Sequence, residues 1–422
     1  MSRYVILGSS AAALTAIEAI RQRDKDGQIT VVSREPEPCY SRVALPYLLS
    51  GEKSLQQVTL QGPDYFQANG IEALYGVGAA SLDAGERTVT LEDGRKLAYD
   101  KLLVATGSTP QVPPVRGIEE APVCYHWTLA DTRRIEERLA GAESCFVIGG
   151  GFISLLTVSA LIKRADLKYT VVEMADQVMP QLLDRPGGQA LETEMRRRGI
   201  EVVLGDSVSA IERGRDGACS VHLASGEERA ADLLVCGTGV RPHIDFLLGS
   251  GLESGRGLLV NERQETNQAG VYAAGDCAEG LDLLSGERVV HAIWPTAIDQ
   301  GRVAGANMAG EVQTYPGSLS WNVTELFGLA CASVGEFRDR PQLEPIVFHN
   351  PLTNVYRKIL LDGEGHIVGA VVIGRAVDVQ DLGVIQAMIR RRSDAGRWRR
   401  MLAGERVNYG MIAFETLQAG GR

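Results

Sequence analysis

The sequence is short of paired cysteines. Seven are present in 422 residues (Cys39, Cys124, Cys145, Cys219, Cys236, Cys277 and Cys331), and no two are spaced as C-x2-C or C-x4-C. The odd count and wide spacings exclude a disulfide framework and offer no zinc or iron–sulfur ligand set, so no metal ligand is assigned. All seven read as reduced, mostly buried thiols. Long apolar runs are missing too, and none approaches a membrane span. The first residues carry no small-residue cleavage pattern of a secretion signal. We therefore expect a cytoplasmic chain with no membrane insertion. Lysine is scarce, with seven against 36 arginines, so a single arginine is weak evidence of function. The net charge of −10 argues against nucleic-acid binding. What remains is ordinary globular composition, 45% hydrophobic and 23% charged, in a length that predicts two or three domains.

Two strand–turn–helix–strand patterns stand about 140 residues apart. The first runs from "RYVILG" through an Ala-rich helical stretch beginning at Ala11 to the strand "QITVVS". It keeps one glycine of a G-x-G-x-x-G turn, Gly8, while Ser10 and Ala13 fill the other two positions. The second strand ends in "VVSREP", so Ser33 or Arg34 replaces the usual ribose-binding acid and Glu35 comes one step late. Read alone, this unit is either a nucleotide site or a plain packing turn.

The second pattern, "SCFVIGGGFISLLTVSALIKR" followed by "KYTVVE", is clearer. Gly149 permits the tight turn and Gly151 lets the backbone approach a pyrophosphate. The helix opening at Phe152 and Ile153 presents unpaired N–H groups and a positive dipole end to phosphate. Ser154 stands at the third glycine position. Glu173 ends the next strand about 20 residues on, where a carboxylate accepts from a ribose 2′-OH. Met174 and Ala175 supply no cation for a 2′-phosphate, which favours NAD(H) over NADP(H).

Further segments fall in a recognisable order. "KLLVATGSTPQVPP" is a strand ending at Ala105, Thr106 and Gly107, and "LLVCGTGVRPH" repeats that form around Gly239. "GVYAAGDCAEG" is a strand ending in Gly275 and Asp276, and "HAIWPTAIDQGRVAGANMAG" starts a helix at Trp294 and Pro295. Together these resemble the flavoproteins with two dinucleotide-binding domains, the pyridine nucleotide–disulfide oxidoreductase superfamily, over residues 1 to about 375. The resemblance implies an α/β fold of two Rossmann-like domains plus a C-terminal α+β interface domain. It places an FAD-binding domain at residues 1–112 and 240–314, an NAD-binding domain at 113–239 and an interface or dimerisation domain at 315–422. FAD and NAD(H) are the implied cofactors. Asp276 would contact the ribityl chain, and the helix at Pro295 would aim its positive end at the flavin pyrimidine edge.

Disulfide-reducing members of that superfamily carry a C-x4-C pair after the second strand, and other members carry one cysteine. Here the loop reads "EPEPCYSRVALPYLLSG", and alignment on "YSR" puts Arg42 at the cysteine position, with Cys39 three residues earlier. The loop resembles those of ferredoxin, rubredoxin and nitrite reductase flavoproteins, which implies that Arg42 is a cation beside the flavin ring. Leu156 stands where related helices often carry a Glu near the nicotinamide. His126, Trp127 and His291 receive no role.

The resemblance implies an FAD-dependent NAD(H):acceptor oxidoreductase without a redox cysteine. A flavin can pass single electrons, and this chain has no cluster motif, so an iron–sulfur (ferredoxin-like) protein or subunit is the expected partner. The loop, "SWNVTELFGLACASVGE" and the C-terminal region resemble, more specifically, the FAD subunits of 2-oxoacid complexes such as phenylglyoxylate:acceptor oxidoreductase. The alternatives are a free-standing NADH oxidase or a reductase of ferredoxin, rubredoxin or quinone, and a non-catalytic scaffold. A homo-oligomer or a multi-subunit complex is compatible with each. At the C-terminus, "NVYRKILLDGEGHIVGAVVIG" predicts two strands and "VDVQDLGVIQAMIRRR" an amphipathic helix. The basic run "IRRRSDAGRWRR" is either a solvated helix end or a dock for an acidic partner.

Overall fold

The computed structural model describes residues 1–62, 64–214, 218–405 and 407–419. Their contacts divide into two compact units. One comprises Met1–Leu48, Lys53–Thr109 and Val240–Leu319, and the other Leu49–Glu52, Pro110–Gly239 and Ser320–Arg422.

The first unit is built on five parallel strands in the order Val271–Ala273, Lys101–Val104, Arg3–Leu7, Gln28–Ser33, Ile71–Tyr75. Alternate residues of these strands feed two cores, as a period of two requires. Tyr4, Ile6, Ile29, Val31 and Leu103 pack against the helices Ala11–Arg23 and Trp294–Met308. Val5, Leu7, Val32, Leu102 and Val104 pack against Leu82, Val89 and Leu91 of a three-stranded antiparallel sheet. The two helices cross at backbone distance. A Cβ on Gly301 would lie 2.3 Å from the Ala12 carbonyl oxygen, and one on Gly305 2.3 Å from that of Ala16. Ala12 and Ala16 are one helical turn apart, so the run of alanines is the mating face for two glycines.

The parallel sheet of the second unit repeats this plan with the order Glu201–Leu204, Lys168–Glu173, Ser144–Ile148, Leu233–Cys236, Val123–Cys124. Cys145, Val147 and Val171 face the helices Phe152–Leu161 and Arg185–Arg197, while Phe146, Ile148 and Val172 face Ile211, Val221 and Leu223. Residues 321–374 add a five-stranded antiparallel sheet in the order Trp321–Leu326, Leu329–Gly335, Ile367–Gly374, Val355–Leu361, Glu344–Asn350. The two strands read from "NVYRKILLDGEGHIVGAVVIG" are its centre. The helix read from "VDVQDLGVIQAMIRRR" is shorter than its pattern, spanning Leu382–Arg390. Asp378 takes the Arg375 backbone N–H at 2.7 Å and holds Ala376–Val379 in a separate tight turn. No helix is long and apolar enough to cross a membrane among the described residues.

Val355–Leu361 is buried along its whole length, yet it carries Arg357 and Lys358. The Lys358 ammonium lies 2.7 Å from Asp184 Oδ2 and 3.0 Å from Asp339 Oδ1. The Tyr356 hydroxyl donates to the same Asp184 oxygen at 2.6 Å. Asp184 Oδ1 also caps the helix Arg185–Arg197 by accepting from Gly187 N at 3.2 Å. One carboxylate thus ties the antiparallel sheet to a helix of the parallel-sheet layer.

Candidate functional site

The first turn is set by Gly8, whose φ of +120° excludes other side chains. A Cβ there would lie 2.1 Å from the Ala105 carbonyl oxygen. Neither side can yield, because Gly8 N bonds Val32 O and Ala105 N bonds Leu7 O, both at 2.8 Å. Ser10 then caps the helix Ala11–Arg23 without a side-chain hydrogen bond, and the first turn holds no acid. Ala13 is fully buried. That helix end therefore presents N–H groups and its positive dipole end, the chemistry that receives a phosphate. Ser33 ends the second strand, where its hydroxyl meets that of Ser9 at 3.0 Å and donates to Glu35 O at 3.2 Å. Arg34 points outward and pairs with Glu92 at 3.2 Å.

Several side chains gather beyond the carboxyl ends of the same sheet, where open α/β sheets bind ligands. The loop at Cys39–Ser41 is held extended by Leu60 N to Cys39 O and Ser41 N to Val58 O, both 2.8 Å. Arg42 begins the next turn and pairs with the Glu35 carboxylate, to which the Tyr40 hydroxyl also donates. The Arg42 guanidinium lies 3.3 Å from the Tyr40 oxygen and 5.5 Å from its ring centre. Asp276 follows the strand Val271–Ala273 and Gly275, whose φ is +81°, and accepts from the Ser108 hydroxyl at 2.6 Å. Burial pushes the Asp276 carboxyl up, against the pull of Ser108 and Arg42. Thr106 donates to His243 O at 2.7 Å, and Gly107 adopts a φ of +69°. Pro295 occupies the first turn of the helix that Trp294 opens, which carries no side-chain cap. Cys39 is 2% exposed, and burial pushes its thiol up to about 11, the opposite of a reactive thiolate.

The second turn has the same construction. Gly149 has a φ of +96°, and a Cβ there would lie 2.7 Å from Gly237 O. Gly151 caps the helix of Phe152 and Ile153 with no side-chain bond. Glu173 accepts from Gly150 N at 2.7 Å and from Ala175 N at 2.9 Å. Ser154 fits the third glycine position because its partner is a glycine. Its hydroxyl bonds Gly237 O at 3.1 Å, and a Cβ on Gly237 would lie 2.2 Å from it. Gly239 has a φ of +107° and takes the Gln111 N–H at 2.9 Å. Leu156 packs against the apolar core.

His126 went unassigned in the sequence, and the structure gives it a defined state. Thr157 donates to Ile153 O at 2.8 Å, so its oxygen accepts from His126 Nδ1–H, also at 2.8 Å. Nε2 is buried with no hydrogen-bond partner among the described residues. Burial pushes the imidazole down to about 4. A base held below its unfolded value of 6.5 leaves stability intact above pH 6.5 and removes it as pH falls toward 4. We expect roughly 3 kcal/mol of acid-side loss from this residue. Denaturant unfolding at pH 7 and pH 4 checks it: His126→Phe should flatten that part of the profile, and an unchanged profile would refute the assignment.

Both turns fit a dinucleotide, since each pairs a glycine cradle that a Cβ would fill with an uncapped helix start. Comparison with known proteins agrees. Residues 2–301 match the model of the pyridine nucleotide-disulphide oxidoreductase family, and residues 322–392 match the rubredoxin NAD+ reductase C-terminal domain. The chain is 35% identical to the NADH-dependent phenylglyoxylate dehydrogenase subunit epsilon of Aromatoleum evansii, over 93% of this chain and 92% of the relative. It is 31% identical to an NADH oxidase of Methanocaldococcus jannaschii, over 88% and 87% of the two chains. Among solved structures, the NAD-dependent persulfide reductase of A. fulgidus superposes with a TM-score of 0.86 at 28% identity, covering 99% of this chain and 83% of that one. The covalent putidaredoxin reductase–putidaredoxin complex superposes with a TM-score of 0.89 at 25% identity, covering 98% and 99%. The chain is an NAD(H)-dependent oxidoreductase of the pyridine nucleotide-disulphide oxidoreductase family, whose cofactors are FAD and NAD(H).

Proposed function

We propose that the chain couples NAD(H) to an iron–sulfur protein through FAD, without a redox cysteine, as the NAD-linked subunit of a 2-oxoacid:acceptor oxidoreductase complex. The observation that carries the cysteine-free reading is Arg42. By alignment on "YSR" it takes the position of the family's cysteine, and the nearest cysteine in sequence, Cys39, is buried and held protonated. The 35% identity to a phenylglyoxylate dehydrogenase subunit over nearly both full lengths supports the choice of complex. When bound, FAD would supply the exchange between the two-electron NAD(H) couple and a one-electron iron–sulfur acceptor.

The chain's own residues bind and orient. Gly8, Ser10 and Ala13 form the approach to the FAD pyrophosphate, with Ser33 and Arg34 toward the adenosine end. Ala105, Thr106 and Gly107 line the strand end beside it. Asp276, presented by Gly275, holds a ribityl hydroxyl, while Arg42 and the helix opening at Trp294 and Pro295 supply positive charge to the ring. In the other unit, Gly149, Gly151, Phe152 and Ile153 receive the NAD pyrophosphate, Glu173 takes the ribose hydroxyls and Gly239 lines the strand end. Met174, exposed and uncharged, offers nothing to a 2′-phosphate. Residues 315–422 serve as the interface region. Its basic run is partly neutralised within the chain, since Arg399 pairs with Glu344 at 2.8 Å and Arg392 with Glu364 at 3.2 Å.

The purified chain, supplied with NADH and a ferredoxin whose potential lies above that of the NAD couple under argon, tests the partner. Ferredoxin reduction well above the aerobic rate of oxygen consumption supports the proposal. Rapid oxygen consumption with no ferredoxin reduction favours a free-standing oxidase.

A further inference from the structure

Glu35 lies two residues beyond the strand Gln28–Ser33, one step past the usual place of a ribose-binding acid, and its carboxylate is committed elsewhere. One oxygen pairs with the Arg42 guanidinium and the other accepts from the Tyr40 hydroxyl. The Arg42 and Glu35 side chains are 30% and 22% exposed, so solvent screens the pair only in part. Pro36 and Pro38 stiffen the four residues between Glu35 and Tyr40, and the bonds to Val58 and Leu60 fix the far end of that span. The Ser33 hydroxyl holds the Glu35 carbonyl, so the backbone on both sides of the pair is set.

We infer that Glu35 is a positioning residue for Arg42: it fixes the guanidinium and neutralises part of its charge, and so sets the reduction potential of the flavin. This rests on the proposal that FAD binds in this unit with Arg42 beside the ring. Reduced flavin carries more negative charge than oxidised flavin. A cation relieved of its counter-ion therefore favours the reduced form, and loss of the cation disfavours it. A carboxylate on the adenosine ribose would act differently, strengthening both redox forms equally and leaving the potential unmoved.

The test is the flavin midpoint potential of the purified holoprotein, measured by dye-coupled anaerobic titration, together with the FAD dissociation constant from fluorescence. Glu35→Gln should bind reduced FAD about tenfold more tightly relative to oxidised FAD, a rise of about 30 mV. Arg42→Met should lower the potential, and Glu35→Gln should have a smaller effect in that background, since only its direct charge then remains. Tyr40→Phe, which keeps the carboxylate and removes the hydroxyl that donates to it, should lower the potential slightly; Glu35→Ala carries the test if Glu35→Gln does not fold. Weakened FAD binding with an unmoved potential would overturn the inference and assign Glu35 to the ribose. A shift undiminished in Arg42→Met would also overturn it, by showing that Glu35 does not act through Arg42. Failure of the unmodified chain to bind FAD would instead refute the proposed function.

Discussion

Gly8→Ala is expected to strip the chain of FAD and to cost about 3–5 kcal/mol of stability. The estimate combines a strained backbone conformation with a steric overlap that has no outlet. At a φ of +120° an L side chain is disfavoured, and the added methyl would sit 2.1 Å from the Ala105 carbonyl oxygen. Both strands at this point are held by 2.8 Å backbone hydrogen bonds, so relief requires breaking sheet pairing. The flavin content of the purified variant and its unfolding by denaturant check this. A variant with full flavin and a loss under 1 kcal/mol would contradict the cradle described here.

Lys358→Ala should be comparably damaging, by about 3–5 kcal/mol, because it leaves Asp184 buried without its cation. The lysine is 2% exposed, and Asp184 is already committed to Tyr356 and to the start of the helix Arg185–Arg197. Combining Lys358→Met with Asp184→Asn should cost less than Lys358→Ala alone, since no unpaired charge then remains. Denaturant midpoints of the three proteins decide it. Equal losses in the single and double variants would show that the pair contributes packing and not charge balance.

The order of glycine turns and strand ends was legible in the sequence because each is local, a turn and the strand and helix on either side of it. The two parallel-sheet units and the central strands of the C-terminal sheet followed from that. The alanines at positions 12 and 16 passed only as part of an Ala-rich helix, because their reason lies almost 290 residues away, at Gly301 and Gly305. Ser154 likewise departs from the glycine pattern in the sequence, and its reason, Gly237 opposite it, lies 83 residues away. The Asp184–Lys358 pair had one faint signal, a rare lysine inside an apolar strand of an arginine-rich chain. The turning of Glu35 onto Arg42 had none, since nothing in "VVSREP" itself ties a carboxylate one step past the usual ribose position to an arginine seven residues on.

The central claim is that this chain holds FAD and reduces it with NADH without a cysteine, and anaerobic titration of the purified protein with NADH tests it most directly. The account predicts one FAD per chain, bleaching of the flavin band by about one equivalent of NADH, and no long-wavelength band from a thiolate beside the ring. A colourless protein, a bound flavin that NADH leaves oxidised, or a thiolate band on reduction would contradict it.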